Sequence, residues 1–374
     1  MNEDSFFKAL NTQYSKRLPF VVYSRPINSI IKSWLQSDDV LHTSKSYTES
    51  GFVFAPFDLD HDVILLPITA CEYSEIEVET DIEIQPEQNN KRQNRDNTDK
   101  DKHIDLVTNG ITEINKSSLD KVILSRVETH HLQSINPIDL FKQLYNRYQN
   151  AMVYCWYHPK VGLWLGATPE LLFKAEGKQL TTISLAGTQP YKVKSKAIWT
   201  NKEFEEQQIV TNYITKQLEP YTKQINVSNV ETIRAGSLLH LKSRITSVID
   251  DSSNLKSIIE ALHPTPAVCG FPKQEAKDFI LENENYNREY YTGFLGELNL
   301  KHLKTRNTNR RNVENNAYTV VKTQSNFYVN LRCMQIKDKE ALIYVGGGIT
   351  RGSNPENEWE ETVNKTATMT SILN

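Results

Sequence analysis

The chain has 374 residues, 38% of them apolar and 24% charged, with 43 Lys+Arg against 46 Asp+Glu. That length allows two ordinary domains or one large one, and the formal net charge of −3 lacks the basic excess of a dedicated nucleic-acid binder. The spread of 14 Gly, 14 Pro, 13 Phe and 17 Tyr excludes collagen, a coiled coil and whole-chain disorder.

The opening, MNEDSFFKALNTQYSKRLPF, lacks the basic-then-apolar order of a signal peptide. No apolar run approaches the ~20 residues needed to cross a bilayer. FVFAPF and VILLPIT are apolar runs of strand length, and YSEIEVETDIEIQ alternates as an antiparallel strand does. Residues 86–103 hold no aliphatic or aromatic side chain, so they read as a flexible loop or linker. They separate residues 1–85, an N-terminal part, from a region over 104–374, the whole forming one intertwined domain. Ile104, Val107, Ile111 and Ile114 then recur at helical spacing, and LDKVILSRVETH reads as a strand. Residues 137–149 read as a helix. VYCWYH, GLWLGATPELLFKAEG and LTTISLAGTQP read as strands of one meander, turning at Glu176 and Gly177. A long helix follows from about Lys202 to Leu218, and helices flank LHPTPA. Residues 293–334 resemble a hairpin around the basic loop KHLKTRNTNRRNVENN, read as a solvated insertion because it has no aromatics to stack bases. ALIYVGGGIT is the last strand, and a final helix follows Asn354 and Pro355, a good N-cap and a good first residue. Hairpin-length connections with grouped helices point to an α+β fold with large antiparallel sheets. Cys71, Cys155, Cys269 and Cys333 lie far apart without C-x-x-C spacing, which suggests reduced thiols in a cytoplasmic protein rather than disulfides or a zinc site.

Several side chains carry potential chemistry. Glu358, Glu361 and Lys365 share one face of the final helix, and Glu203 and Glu206 share a face of the long helix. Such carboxylates are either solvated stripes or, with no His or Cys cluster nearby, ligands for a hard cation such as magnesium. Gly346, Gly347 and Gly348 allow either a strand bend or close approach of a ligand to bare backbone. The segment SLAGT, with Gly187 and Thr188, offers N–H and hydroxyl groups to an oxyanion. Lys121 is either an edge lysine or, in a dry cleft, a base, since desolvation favours a neutral amine. Glu170 is either a cap or an acid held protonated by apolar surroundings. Arg332 suits a structural ion pair or a substrate carboxylate, and His263 a helix end, a core or a ligand.

Taken in order, KVILSR, GATPELLF, SLAGT, KEFEEQQIV, LHPTPAVCGFP, NREYYTGFLGE, NLRC and GGGITRGSNPENEWEETVNK resemble the chorismate-utilising enzymes, and among them the isochorismate synthases. The resemblance covers residues 119–374. It implies two stacked antiparallel sheets fringed by helices, and conversion of chorismate to isochorismate for menaquinone or catechol siderophore synthesis. Carried over by motif, Lys121 would be the general base and Glu170 the general acid. Glu206 and Glu361 would be direct magnesium ligands, with Glu203 and Glu358 in the outer shell. Gly187, Thr188, His263, Arg332, Gly346, Gly347, Gly348 and Lys365 would bind the substrate. Lysine rather than glutamine at 121 marks water as the nucleophile, and Ala186 supplies no covalent amine, so no amidotransferase subunit is expected. A monomer without nucleic-acid or membrane partners is the expectation. Salicylate synthase, which goes on to eliminate pyruvate, and a non-catalytic chorismate-binding relative are the alternatives. Glu203 and Gln207 depart from the family's usual Asp and His, and Asn287 from its usual Asp.

Overall fold

Runs such as FVFAPF and VILLPIT have no polar face, so they need cover on both sides. The structure, a computed structural model, describes residues 1–78, 97–133, 136–191, 197–235, 238–304 and 320–373, and it meets that need by stacking two antiparallel sheets. The chain begins α1 (Glu3–Ser15), β1 (Phe20–Ser24), β2 (Ile30–Gln36), β3 (His42–Ser44), β4 (Gly51–Ala55), β5 (Val63–Pro67) and β6 (Cys71–Glu77). It continues α2 (Asn97–Lys116), β7 (Lys121–His131), α3 (Pro137–Arg147), β8 (Met152–His158), β9 (Gly162–Thr168), β10 (Leu171–Glu176), β11 (Gln179–Pro190) and α4 (Asn201–Leu218). Next come β12 (Thr222–Val227), β13 (Glu231–Ala235), β14 (Leu238–Ile249), α5 (Leu255–Leu262), β15 (Gly270–Phe271) and α6 (Lys273–Asn283). It ends β16 (Phe294–Lys304), β17 (Val320–Val329), β18 (Cys333–Lys337), β19 (Glu340–Thr350) and α7 (Pro355–Thr370).

One sheet has the order β15-β7-β19-β18-β9-β8-β1-β2-β6, and the other β12-β14-β11-β10-β17-β16-β4-β5-β3, with β13 also paired to β14. Residues 1–77 therefore complete both sheets. The inner faces meet in an aromatic layer that includes Tyr23, Trp34, Phe52, Phe54, Trp156 and Trp164. Phe54 is stacked on Tyr290 at 4.4 Å and on Trp156 at 4.6 Å. Outside, α1 and α3 cover the first sheet, α4 and α5 the second, and α2 and α6 cover β7. No helix among the described residues is long and apolar enough to cross a membrane, and all four cysteines are unpaired.

Two expectations change. The supposed meander is split, because β8 and β9 belong to the first sheet whereas β10 and β11 belong to the second. The chain crosses between sheets at Pro169 and Glu170, a change of partner that strand-length patterns do not encode. Likewise the linker reading extends too far. Residues 79–96 lie outside the described residues, but 97–103 form the first turns of α2. His103 there is buried, its ring 5.9 Å from Trp359 of α7, so an imidazole packs this end of the helix where no aliphatic side chain is present. Most of the basic loop, residues 305–316, also lies outside the described residues.

Truncating the stacked aromatic layer tests this architecture. Phe54→Ala is expected to lower unfolding free energy by ~3–5 kcal/mol, read by urea titration.

Candidate active site

Two crossovers between the sheets place the central polar groups. Glu170 lies between β9 and β10, and Arg332 between β17 and β18. The crossovers are bonded to each other: the Val329 N–H donates to the Glu170 carbonyl at 3.0 Å, the Thr168 hydroxyl to the Val329 carbonyl, and the Ala167 N–H to the Arg332 carbonyl at 3.1 Å. Arg332 holds φ +46°, an uncommon conformation for a non-glycine residue.

Glu170 is partly buried among apolar residues of β10, β11, α4 and the 262–267 segment. Burial pushes its carboxyl up to about 7, and the nearby positive charge of Lys121 only partly opposes this. Thus the base candidate lies near enough for its charge to act on the acid candidate. Lys121 opens β7, opposite Thr350 of β19. Its aliphatic end would lie 3.1 Å from a Cβ placed on Gly348, and Ile123 3.3 Å from it. Gly348 thereby leaves a lane for the lysine.

Gly347 serves the other face of β19, as strand alternation requires. A Cβ there would meet Glu358 Oε2 at 3.2 Å and Glu361 Oε1 at 4.0 Å. Both carboxylates come from α7, whose start is fixed by the Asn354 side chain accepting the Asn357 N–H at 3.0 Å. Helix spacing turns Trp359, Thr362, Val363 and Thr366 into the protein and leaves Glu358 and Glu361 on the opposite side. Burial raises the Glu358 carboxyl, Ser353 opposes this, and the neighbouring Glu361 raises it further. Lys365 donates to the Gly346 carbonyl at 2.8 Å and pairs with Glu361 at 2.7 Å, tying α7 to the glycine strip.

On the second sheet, Gly187 holds φ +67° and touches Glu203, whose Cβ would lie 3.4 Å from an added Cβ. The Glu203 carboxylate accepts the Thr200 N–H at 2.7 Å and also its hydroxyl, so it forms the N-terminal cap of α4. Glu206 is exposed. Gln207 is buried and donates to Ser184 Oγ at 2.9 Å and Ser243 Oγ at 3.1 Å. It bridges β11 and β14, which accounts physically for an amide at this position. Phe204 is 44% exposed, and the packed stripe of α4 runs through Gln207, Thr211, Ile214 and Leu218. The Thr188 side chain lies outside the described residues.

His240 is a site residue that sequence reasoning missed. Its Nδ1 lies 2.9 Å from the Gly187 carbonyl, so that nitrogen carries the proton. Burial lowers its pKa, the Gly187 bond opposes this, and the charges of Arg332 and Lys365 lower it further. Its only sequence signal is alternation in β14, which turns it away from the face of buried Leu241. His263 sits deeper. It is 2% exposed, its Nε2 is 3.0 Å from the Phe57 carbonyl, and its ring packs edge-on against Phe294. Burial lowers its pKa to about 3, so it is neutral.

Contacts therefore link Lys121 and Gly348; Gly347, Glu358 and Glu361; Lys365 and Gly346; and His240 and Gly187, while the charges of Lys121 and Arg332 act on Glu170 and His240. The α7 pair suits a hard cation: two mutually repelling carboxylates meet a cradle that a Cβ would fill, and every donor is oxygen. Among the described residues, no group of three His, Cys, Asp or Glu side chains gathers around one point.

Comparison with known proteins matches residues 67–303 to the family model described as chorismate binding enzyme, and residues 317–371 to a second model of that description. Isochorismate synthase MenF of Escherichia coli is 30% identical over 281 residues, covering 72% of this chain and 59% of that protein. The Haemophilus influenzae protein of the same name is 29% identical over 278 residues, covering 72% and 60%. The aligned region thus spans about 60% of the length of these relatives. In fold, the chain matches the structure of the menaquinone-specific isochorismate synthase from Escherichia coli with TM-score 0.76 at 23% identity, covering 98% of this chain and 91% of that one.

The raised Glu170 pKa carries a stability consequence. Below about pH 4.5 the carboxyl is neutral in folded and unfolded chains alike. As pH rises through about 7, the unfolded chain has already ionised, so the folded state loses stability relative to it. Glu170→Gln should therefore stabilise the protein at pH 8, by on the order of 1–3 kcal/mol, and leave it unchanged at pH 4, as measured by thermal unfolding at both values.

Proposed function

From the premise that the chain belongs to the chorismate-binding enzyme family, we propose that it is an isochorismate synthase. The observation that carries this reading is a partly buried carboxyl, raised to about 7 by its apolar surroundings and within reach of the charge of Lys121. Adding water to a ring carbon requires a base, and expelling a hydroxyl requires an acid, so this pair supplies both needs.

Chorismate is a cyclohexadiene with two carboxylates and a hydroxyl leaving group. Arg332, with backbone groups of Gly187 and Gly346–Gly348 and the Thr188 hydroxyl, holds the enolpyruvyl carboxylate. Glu206 and Glu361 directly, with Glu203 and Glu358 behind them, would hold a magnesium ion, which when bound neutralises and anchors the ring carboxylate. Lys365 adds positive charge beside that cluster, and His263 supports the segment facing Glu170. With the ring oriented, Lys121 takes a proton from water as the oxygen bonds to C2. The double bonds shift, the C4–O bond breaks, and Glu170 protonates the departing hydroxyl to give water. One water is consumed and one released, so the reaction is an isomerisation and is reversible. Since water is the nucleophile, the reading needs no ammonia-supplying subunit. It places a monomeric enzyme in the cytoplasm.

Incubation with chorismate and magnesium, with products separated by chromatography, tests the proposal. Isochorismate should form, EDTA should stop its formation, and pyruvate should not appear in a lactate dehydrogenase coupled assay. Pyruvate release would replace the reading with salicylate synthesis, and no product at all would reject it. Lys121→Ala and Glu170→Gln are each expected to lose roughly 10²–10⁴-fold in kcat while remaining folded. Gly347→Ala should crowd Glu358 and raise the magnesium concentration for half-maximal rate at least about tenfold, an effect of about 1.4 kcal/mol, read by metal titration of the initial rate.

A further inference from the structure

Strand β7 carries Lys121, yet the strand outside it, β15, is only two residues long. It pairs Phe271 with Lys121 and Gly270 with Val122. One more bond follows, from the Ile123 N–H to the Cys269 carbonyl at 2.8 Å, and then the covering chain turns away into a turn where Thr265 O accepts the Val268 and Cys269 N–H groups. The same edge of β7 continues with the Ile123 carbonyl and the Ser125 N–H, which need partners because this part of the chain is buried.

A buried ion pair supplies them. Glu284 Oε1 accepts the Ser125 N–H at 2.8 Å and the Ser125 hydroxyl at 2.7 Å. Arg288 Nη2 donates to the Ile123 carbonyl at 2.7 Å. The two side chains also bind each other, Nε to Oε2 at 2.7 Å and Nη2 to Oε1 at 2.6 Å, and Arg288 Nη1 reaches the Val268 carbonyl at 3.0 Å. Glu284 is 9% and Arg288 3% exposed. Carboxylate and guanidinium thus present an acceptor and a donor to the edge of β7, as an adjacent strand would.

We propose that Glu284 and Arg288 are positioning residues: their ion pair substitutes for the missing neighbour of β7 and so fixes the strand that aims Lys121 at the substrate. The hydrogen bonds of Glu284 and Arg288 go to Ser125, Ile123, Val268, Thr292 and one another. Loss of the pair is therefore expected to slow the chemical step while leaving binding nearly intact. The proposal rests on the isochorismate synthase reading for its catalytic part only.

Glu284→Gln tests it, since the neutral amide leaves Arg288 without a counter-charge and replaces the charge-assisted bond to the Ser125 N–H with a weaker one. Glu284→Asp is the second variant, in which the charge remains but the shorter chain withdraws from Ser125. In full-length protein, hydrogen exchange of the Ser125 amide should accelerate at least about tenfold, the equivalent of about one such bond, while the amides of β1, β8 and β9 exchange as before. In the chorismate assay kcat should fall at least about tenfold with KM changed by less than about threefold. Unchanged Ser125 exchange in both variants would overturn the strand substitution. Faster exchange with unchanged kcat, or a KM that rises in step with the loss of rate, would overturn the positioning role. Uniform acceleration across both sheets in both variants would likewise overturn it, because the pair would then be a general stabiliser. The exchange measurement needs no substrate, so a chain inactive on chorismate would reject the functional reading without touching this result.

Discussion

The two sheets are joined at the site by crossovers that bond to one another. Because the Val329 N–H is spent on the Glu170 carbonyl and the Ala167 N–H on the Arg332 carbonyl, neither crossover can shift without leaving a buried backbone group unpaired. Glu170 and Arg332 are consequently held where one sheet gives way to the other. This is the geometry a rigid scaffold offers a loop residue: strands carry the load and short irregular segments present the chemistry.

Electrostatics within that frame are uneven by construction. Burial and the charge of Lys121 act in opposite directions on Glu170, and burial wins, so the carboxyl keeps its proton near neutral pH. A different balance governs His240, where burial and the charges of Arg332 and Lys365 all favour the neutral ring. The cations are thus concentrated on Arg332 and Lys365, while the acidic charge gathers on the start of α7. On the proposed reading, a dianionic substrate and a divalent ion would each meet the sign that attracts them.

Three glycines permit this arrangement because β19 runs between groups on its two faces. Gly348 leaves space for Lys121 and Gly347 leaves space for Glu358 and Glu361. Only a strip of backbone separates the lysine from the carboxylates, and Lys365 fastens α7 to that strip through the Gly346 carbonyl. Side chains at these positions would push the two halves of the chemistry apart. On the other edge of β7, a short covering strand passes its work to Glu284 and Arg288.

From the amino-acid order alone come the strand-length apolar runs, the helix over 355–370 with its Asn354 cap, the shared face of Glu358, Glu361 and Lys365, and the special freedom of the glycine run, because these depend on local periodicity and backbone sterics. The motif resemblance added roles for Lys121, Glu170 and Arg332. Tertiary structure alone decided that β9 and β10 part into different sheets, that residues 97–103 join α2 through the buried ring of His103, that His263 faces the Phe57 carbonyl, and that His240 meets the Gly187 carbonyl. Each of these is a contact between residues distant in the chain, set by which surfaces meet in space, and no local pattern of side chains records it.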